Sequence, residues 1–271
     1  MDKMSVMGTD RMRYCLLALL VFASLLPAAA CRAQDVDQLL QQAMQAAERG
    51  EHDRALIKLS EVIKANPATP LPWYLRGREH FRAGKIAESV ADFDKFVQLQ
   101  PQAANQQWER GISLYYAGEF DKGAKQFEDY QNVHDQDVEN SVWRYLCVAR
   151  ASGVEKARST LLPINNDPRV PMIEIYKLYQ GKLKPSDVLA AASKDPPSLG
   201  AGLPTPPNRE LLNQRLFYAH LYLGLWHEAA GESEKAKEHI LEAEKHKIGH
   251  YMWDVAHVHA DRLRAGEKKQ H

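Results

Sequence analysis

Residues 82–101, RAGKIAESVADFDKFVQLQP, decide the fold. Ile86, Val90, Phe93, Phe96 and Val97 fall on one face of a helix. Gly84 stands just ahead of that helix, where a preceding helix must end, and glycine adopts the left-handed backbone such ends use. Pro101 closes the run, because proline lacks an N–H and restricts the residue before it. Residues 50–67, GEHDRALIKLSEVIKANP, carry the same pattern 34 residues earlier.

The period persists. Gly50, Gly84 and Gly118 are 34 apart, as are Gly77 and Gly111, and as are Leu59, Phe93 and Phe127. Pro67 and Pro101 match too, and Asp135 stands where a third Pro would fall. Separate lattices with one period mean an internal repeat. Each unit parses as two helices. In 70–103 the first is LPWYLRGREHFRAG, with Trp73, Gly77 and Phe81 at helical spacing, and Gly77 sits where paired helices approach closely. One such pair cannot bury both faces, so neighbours must stack.

These residues resemble the tetratricopeptide repeat, whose motif orders a large residue, a Gly or Ala, a small residue, an aromatic or Leu, and a Pro. Unit 36–69 supplies Leu39, Ala43, Ala55, Leu59 and Pro67. Unit 70–103 supplies Trp73, Gly77, Ser89, Phe93 and Pro101. Unit 104–137 supplies Gly111, Gly123 and Phe127, with Trp108 one place late. A further unit at 217–250 has Gly224, Gly231, Ala236, Ile240 and Ala243. The resemblance implies an all-α fold: a right-handed superhelical solenoid of helix-turn-helix repeats, with a C-terminal capping helix from MWDVAHVHADRLR.

Between the repeats, 138–194 reads as degenerate helical pairs, and 195–208, DPPSLGAGLPTPPN, as a proline-rich loop. The last segment, 209–265, holds the 217–250 repeat and the cap, and 266–271 is a polar tail. At the other end, Arg11 and Arg13 precede the apolar run YCLLALLVFASLLP and the small residues AAACRA. A basic stretch, a short apolar core and a small-residue cleavage site predict a signal peptide over 1–33 and an exported protein, periplasmic or envelope-associated. Cys31 follows three alanines, which makes it a candidate for lipidation and a tether. Lys and Arg balance Asp and Glu at 35 each, which excludes a general nucleic-acid footprint. Three cysteines, two of them at or before residue 31, build no disulfide framework.

The chain carries no phosphate loop, GxSxG, HExxH or paired CxxC, so no enzyme activity, cofactor or metal is expected. His246, His250, His257 and His259 do not share a helical face, and Cys147 reads as a buried structural thiol. What remains is recognition. The resemblance implies that the inner sides of the first helices line a groove for protein or peptide partners. Its lining here would be Tyr74, Arg78 and Arg82 in one unit and Asn105, Trp108, Ile112 and Tyr116 in the next, types that carry energy at interfaces. The layout also resembles envelope lipoproteins with such repeats, which implies an adaptor for envelope proteins. A second expectation is a homodimer through 217–263, where Phe217, Tyr218, Tyr222, Trp226, Tyr251 and Trp253 would form an exposed face.

Overall fold

The computed structural model describes residues 36–194 and 209–268, and no strand occurs among them. Residues 1–35, with the expected signal segment 1–33 and Cys31, the proline-rich stretch 195–208 and residues 269–271 lie outside the described residues. The chain divides into two compact units, one reaching to Pro72 and the other starting at Trp73. In the first, α1 (36–48) buries Ala43 and Ala46, and α2 (His52–Ala65) buries Ala55, Leu59 and Val62.

The second unit takes α3 (Pro70–Arg82) from Trp73 on; α3 pairs with α4 (Ile86–Leu99), and α5 (Trp108–Tyr116) with α6 (Phe120–Gln131). Next come α7 (Val138–Ser152), α8 (Val154–Ser159), α9 (Met172–Tyr179) and α10 (Pro185–Ala192). Finally α11 (Arg209–Ala229) pairs with α12 (Ser233–Lys245), followed by α13 (Tyr251–Lys268). The turn after α3 closes as the repeat requires. Gly84 has φ +70°, its N–H bonds Phe81 O at 2.9 Å, and Lys85 N–H reaches back to His80 O at 2.8 Å.

The small positions of the repeat meet its large ones across each hairpin. A Cβ on Gly77 would lie 3.3 Å from the Phe93 ring. On Gly111 it would lie 2.7 Å from the Phe127 ring, and on Gly224 it would lie 2.7 Å from Ile240. Close helix approach therefore depends on the missing side chain. A polar lattice runs at the same period. Arg76 forks onto Asp92 at 2.7 and 2.8 Å, Arg110 reaches Gln126 at 2.8 Å, and Arg144 reaches Thr160 Oγ1 at 3.1 Å. Each arginine thus ties its first helix to a residue 16 positions on, so α7 continues the repeat begun by α3 and α5.

Helix α7 is central. It packs on α5, α6, α8, α9 and α11, and the short α8 leaves α9 room to reach it. Two expectations change here. Helix α11 starts at Arg209, eight residues ahead of 217, so this first helix is longer than the 217–250 unit allows. The proposed dimer face is also interior. Phe217, Tyr218, Tyr222 and Tyr251 are buried, and Trp226 and Trp253 are partly buried. The reason is that α11 lies between α7, α9 and α10 on one side and α12 on the other, so its stretch 217–226, FYAHLYLGLW, is apolar nearly all round. Its Tyr222 hydroxyl donates to Glu139 Oε1 at 2.6 Å, and its Tyr222 carbonyl accepts from Tyr179 at 2.9 Å.

Candidate protein-binding face

Aromatic side chains of α3, α5 and α7 meet one another, Phe81 against Tyr116 at 5.4 Å and Tyr116 near Trp143 at 6.3 Å, and α13 lies against those of α3 and α5. Tyr251, the first residue of α13, is the anchor. Its ring meets Trp108 edge-on at 5.6 Å and Phe81 at 5.6 Å, and the Arg78 guanidinium sits 4.7 Å above it. Such a pairing of cation and ring strengthens as water is excluded. His250, just ahead of the helix, stacks on Trp108 at 6.0 Å with planes 9° apart. Burial and the nearby Arg78 push the His250 pKa down, so the ring is neutral and stacks without charge cost. One turn on, Asp254 accepts from Arg82 Nε at 2.7 Å, and Arg82 also pairs with Glu79. Midway along α13, His259 Nδ1 and the Tyr116 hydroxyl are 2.9 Å apart, and Arg262 lies 5.3 Å over the Tyr116 ring.

Placed on this geometry, the seven groove residues separate. Tyr74 donates to Glu109 Oε1 at 2.7 Å, and Arg78, Arg82 and Trp108 are engaged by His250, Tyr251 and Asp254. Ile112 is fully buried, and Tyr116, 8% exposed, is largely covered and reaches only the wall of a cavity beside α13. The cause is the seat of α13, which buries Tyr116, together with the inward phase of Ile112 on α5. Asn105 is exposed, on the 3-10 turn Pro101–Gln106 that precedes α5. Among the described residues no helix is long and apolar enough to cross a membrane.

The face stays open at the two ends of α13. Beside its start is a cavity of about 160 Å³ lined by Trp108, Phe127, Tyr130 and Trp143, with Asp137, Glu139, Asn140 and Arg169 at its polar side. Asp137 caps α7 by accepting from Glu139 N–H at 3.1 Å. Arg169 gathers the acids, reaching Asp137 at 2.7 Å, Glu139 at 2.6 Å and Asp167 at 2.6 Å. Burial, with Asp137 adding repulsion, pushes the Glu139 carboxyl up to about 7. Beside the end of α13 is a cavity of about 330 Å³ lined by Tyr115, Phe120, Arg150, Glu228, His259 and Arg262.

Several of these residues escaped the sequence reading. Asp137, Glu139, Asn140 and Trp143 fall where the 104–137 unit meets the degenerate stretch 138–194, in DVENSVW, and carry no repeat signature. Arg169 comes from the loop between α8 and α9, where periodicity is silent. The histidines regroup as well. His246, His250, His257 and His259 have four separate surroundings: Asn213, Trp108, Glu244 and Tyr116. Glu244, His257 and Asp261 come together, but Arg264 bridges the two carboxylates. The set that does assemble lies between α11 and α12, with His220 and His239 Nδ1 atoms 3.0 Å apart and the His227 and His239 rings stacked at 5.4 Å. Cys147 is fully buried, and burial pushes its thiol pKa up.

No family model matches this chain, and no curated protein matches it in sequence. Solved structures do match its fold. A tetratricopeptide repeat protein from Parabacteroides merdae superposes with a TM-score of 0.50 at 12% identity, over 82% of each chain. MamA from Desulfovibrio magneticus gives 0.46 at 15% identity, over 78% of this chain and 93% of its own. PilW, described as a type IV pilus biogenesis factor, gives 0.44 at 13%, over 78% and 93%. The fold is therefore that of the tetratricopeptide repeat, an all-α solenoid of helical hairpins.

Proposed function

We propose that this protein is an exported, non-enzymatic scaffold that holds protein partners of the cell envelope on the inner face of α3, α5 and α7. The observation that carries the reading is the seat of α13. An amphipathic helix already lies on this face, anchored by one aromatic side chain between Arg78, Phe81 and Trp108 and fixed by the Arg82–Asp254 pair. A surface that holds one helix through an aromatic anchor and a charge pair has the chemistry of helix and peptide recognition. Partners add to the ends that α13 leaves open, next to Trp108 and next to Tyr115. The N-terminal pattern supports export, and Cys31 is the residue for a lipid tether.

The test is affinity capture from envelope extract with the mature chain, followed by mass spectrometry. Trp108→Ala and Arg78→Ala are expected to keep the helical circular dichroism of the wild type and to lose its partners. Recovery of the same partners by both variants overturns the face assignment. The mass of the mature N-terminus decides the tether: an acylated Cys31 supports it, and a chain starting beyond Cys31 removes it.

A further inference from the structure

Positions seven apart share a face of an α-helix, because seven residues make about two turns. On α11, Asn213, His220 and His227 have that spacing, and so do Glu232, His239 and His246 on α12 and its two flanking caps. The hairpin sets the two rows against each other rung by rung. Asn213 Oδ1 and His246 Nδ1 are 2.9 Å apart, His220 Nδ1 and His239 Nδ1 are 3.0 Å apart, and His227 Nδ1 meets Glu232 Oε2. Rings of successive rungs then stack. His246 lies on His220 at 5.9 Å with planes 20° apart, and His227 on His239 at 5.4 Å with planes 4° apart. The imidazoles thus form one row between the helices, its outer members tied by Asn213 and Glu232.

The middle rung has the geometry of a metal site. Imidazole nitrogens bound about 2.0–2.1 Å from one ion stand roughly 3.0–3.4 Å apart, and those of His220 and His239 are already at 3.0 Å. Burial pushes the His220 pKa down to about 4, with His239 adding to the fall, and burial lowers those of His239 and His246 as well. Near neutral pH these rings are uncharged and offer lone pairs, the form in which histidine binds metals. Both middle rings are only partly buried, so an ion reaches them from solvent. In the resting pair one Nδ1 carries the hydrogen that bridges to the other. An ion takes both Nδ1 lone pairs once that hydrogen moves to Nε2 of its own ring, with no net proton released. A third ligand stands one turn beyond His239 on the same side of α12: Glu242, 3.7 Å from His246 Nε2. Its carboxylate pairs with Lys245 at 2.6 Å in solvent, a contact that costs little to give up.

We propose that His220 Nδ1, His239 Nδ1 and the Glu242 carboxylate bind a divalent transition-metal ion, with water in its remaining positions and Cu(II) held more tightly than Zn(II). The ion staples α11 to α12. His227 and His246 are positioning residues, which hold the ligand rings by stacking on them.

The experiment uses the intact mature chain near neutral pH, freed of metal with a chelator and titrated with copper(II) chloride or zinc chloride. With zinc, followed through the histidine ring nitrogen resonances, the Nδ1 signals of His220 and His239 are expected to move together and to stop moving at one equivalent. With copper, followed by calorimetry, His220→Gln and His239→Gln are each expected to weaken binding by about a hundredfold or more, at or above the upper end for residues that only support a ligand. Glu242→Gln is expected to weaken it by about tenfold. His257→Gln, which alters the group of Glu244, His257 and Asp261, is expected to leave the affinity unchanged. Should the His220 and His239 variants misfold, the ring resonances of the wild type still decide. Signals of His220 and His239 that stay in place while His257 moves overturn the proposal, as does a folded His239→Gln chain that binds copper as tightly as wild type. Full affinity in Glu242→Gln overturns the third ligand.

Discussion

The two ends of α13 meet the same aromatic face and leave opposite surroundings. At its start, three carboxylates share one arginine around a small cavity walled by rings. At its end, Arg150, Arg262 and His259 surround Glu228 in a cavity about twice as large. Trp143 joins them, since it lines the first cavity and packs against Tyr115 at 5.4 Å and Tyr116 at 6.3 Å, which line the second. The lesson is that the repeat supplies a uniform aromatic floor, and the helix laid over it divides that floor into sites of different charge.

The largest effect is expected where the two ends share a wall. Trp143→Ala should cost about 3–5 kcal/mol in urea unfolding, because a buried indole leaves a hole that the ring cluster cannot close. A loss below about 1 kcal/mol would mean the wall is not common to both ends. Next is the clamp at the start of α13. Arg82→Ala removes the guanidinium that bridges Glu79, 2% exposed, and Asp254, and a cost of about 1–3 kcal/mol is expected. Amide exchange should then quicken at the first turns of α13 and stay slow around His259. Equal acceleration along the whole helix would show that one clamp holds both ends.

Titration should move the two ends in opposite senses. His259 is buried with its pKa held below that of a free histidine, chiefly by loss of water. Its contribution is complete above about pH 6.5 and declines as pH falls below that value. Glu139 is raised to about 7 from the usual carboxylate range, so its contribution is complete below about pH 4.5 and is lost as pH rises through 7. Unfolding at pH 5 and pH 8 should therefore show Glu139→Gln gaining on wild type at the higher pH and His259→Asn gaining at the lower. Parallel profiles would erase the contrast. The smallest effect is at the second cavity's rim. Arg150 lies 3.9 Å from Glu228 and is half exposed, so Arg150→Ala should change stability by no more than about 0.5 kcal/mol.

Much of the architecture was legible because it repeats. The lattice of Gly77 and Gly111 against Phe93 and Phe127 is a contact between two helices of one hairpin, and sequence separation within a hairpin is constant. The arginines at 76, 110 and 144 carry a second lattice that could have been read the same way and would have placed α7 in register. Ile112 shows the limit. Its place in the motif implied a groove position, yet only packing shows that it faces wholly inward. Tyr116 shows another, since what covers it comes from 143 residues further along the chain.

Local chemistry alone determined the helices, the turns at Gly84 and Gly118 and the pairing of large with small residues, because each depends on neighbours a fixed few positions away. Only the tertiary structure decided that α13 covers the inner face and that Arg169 meets Asp137 and Glu139. Those meetings join segments with no periodic relation, and they are set by how the hairpins stack rather than by any spacing in the chain.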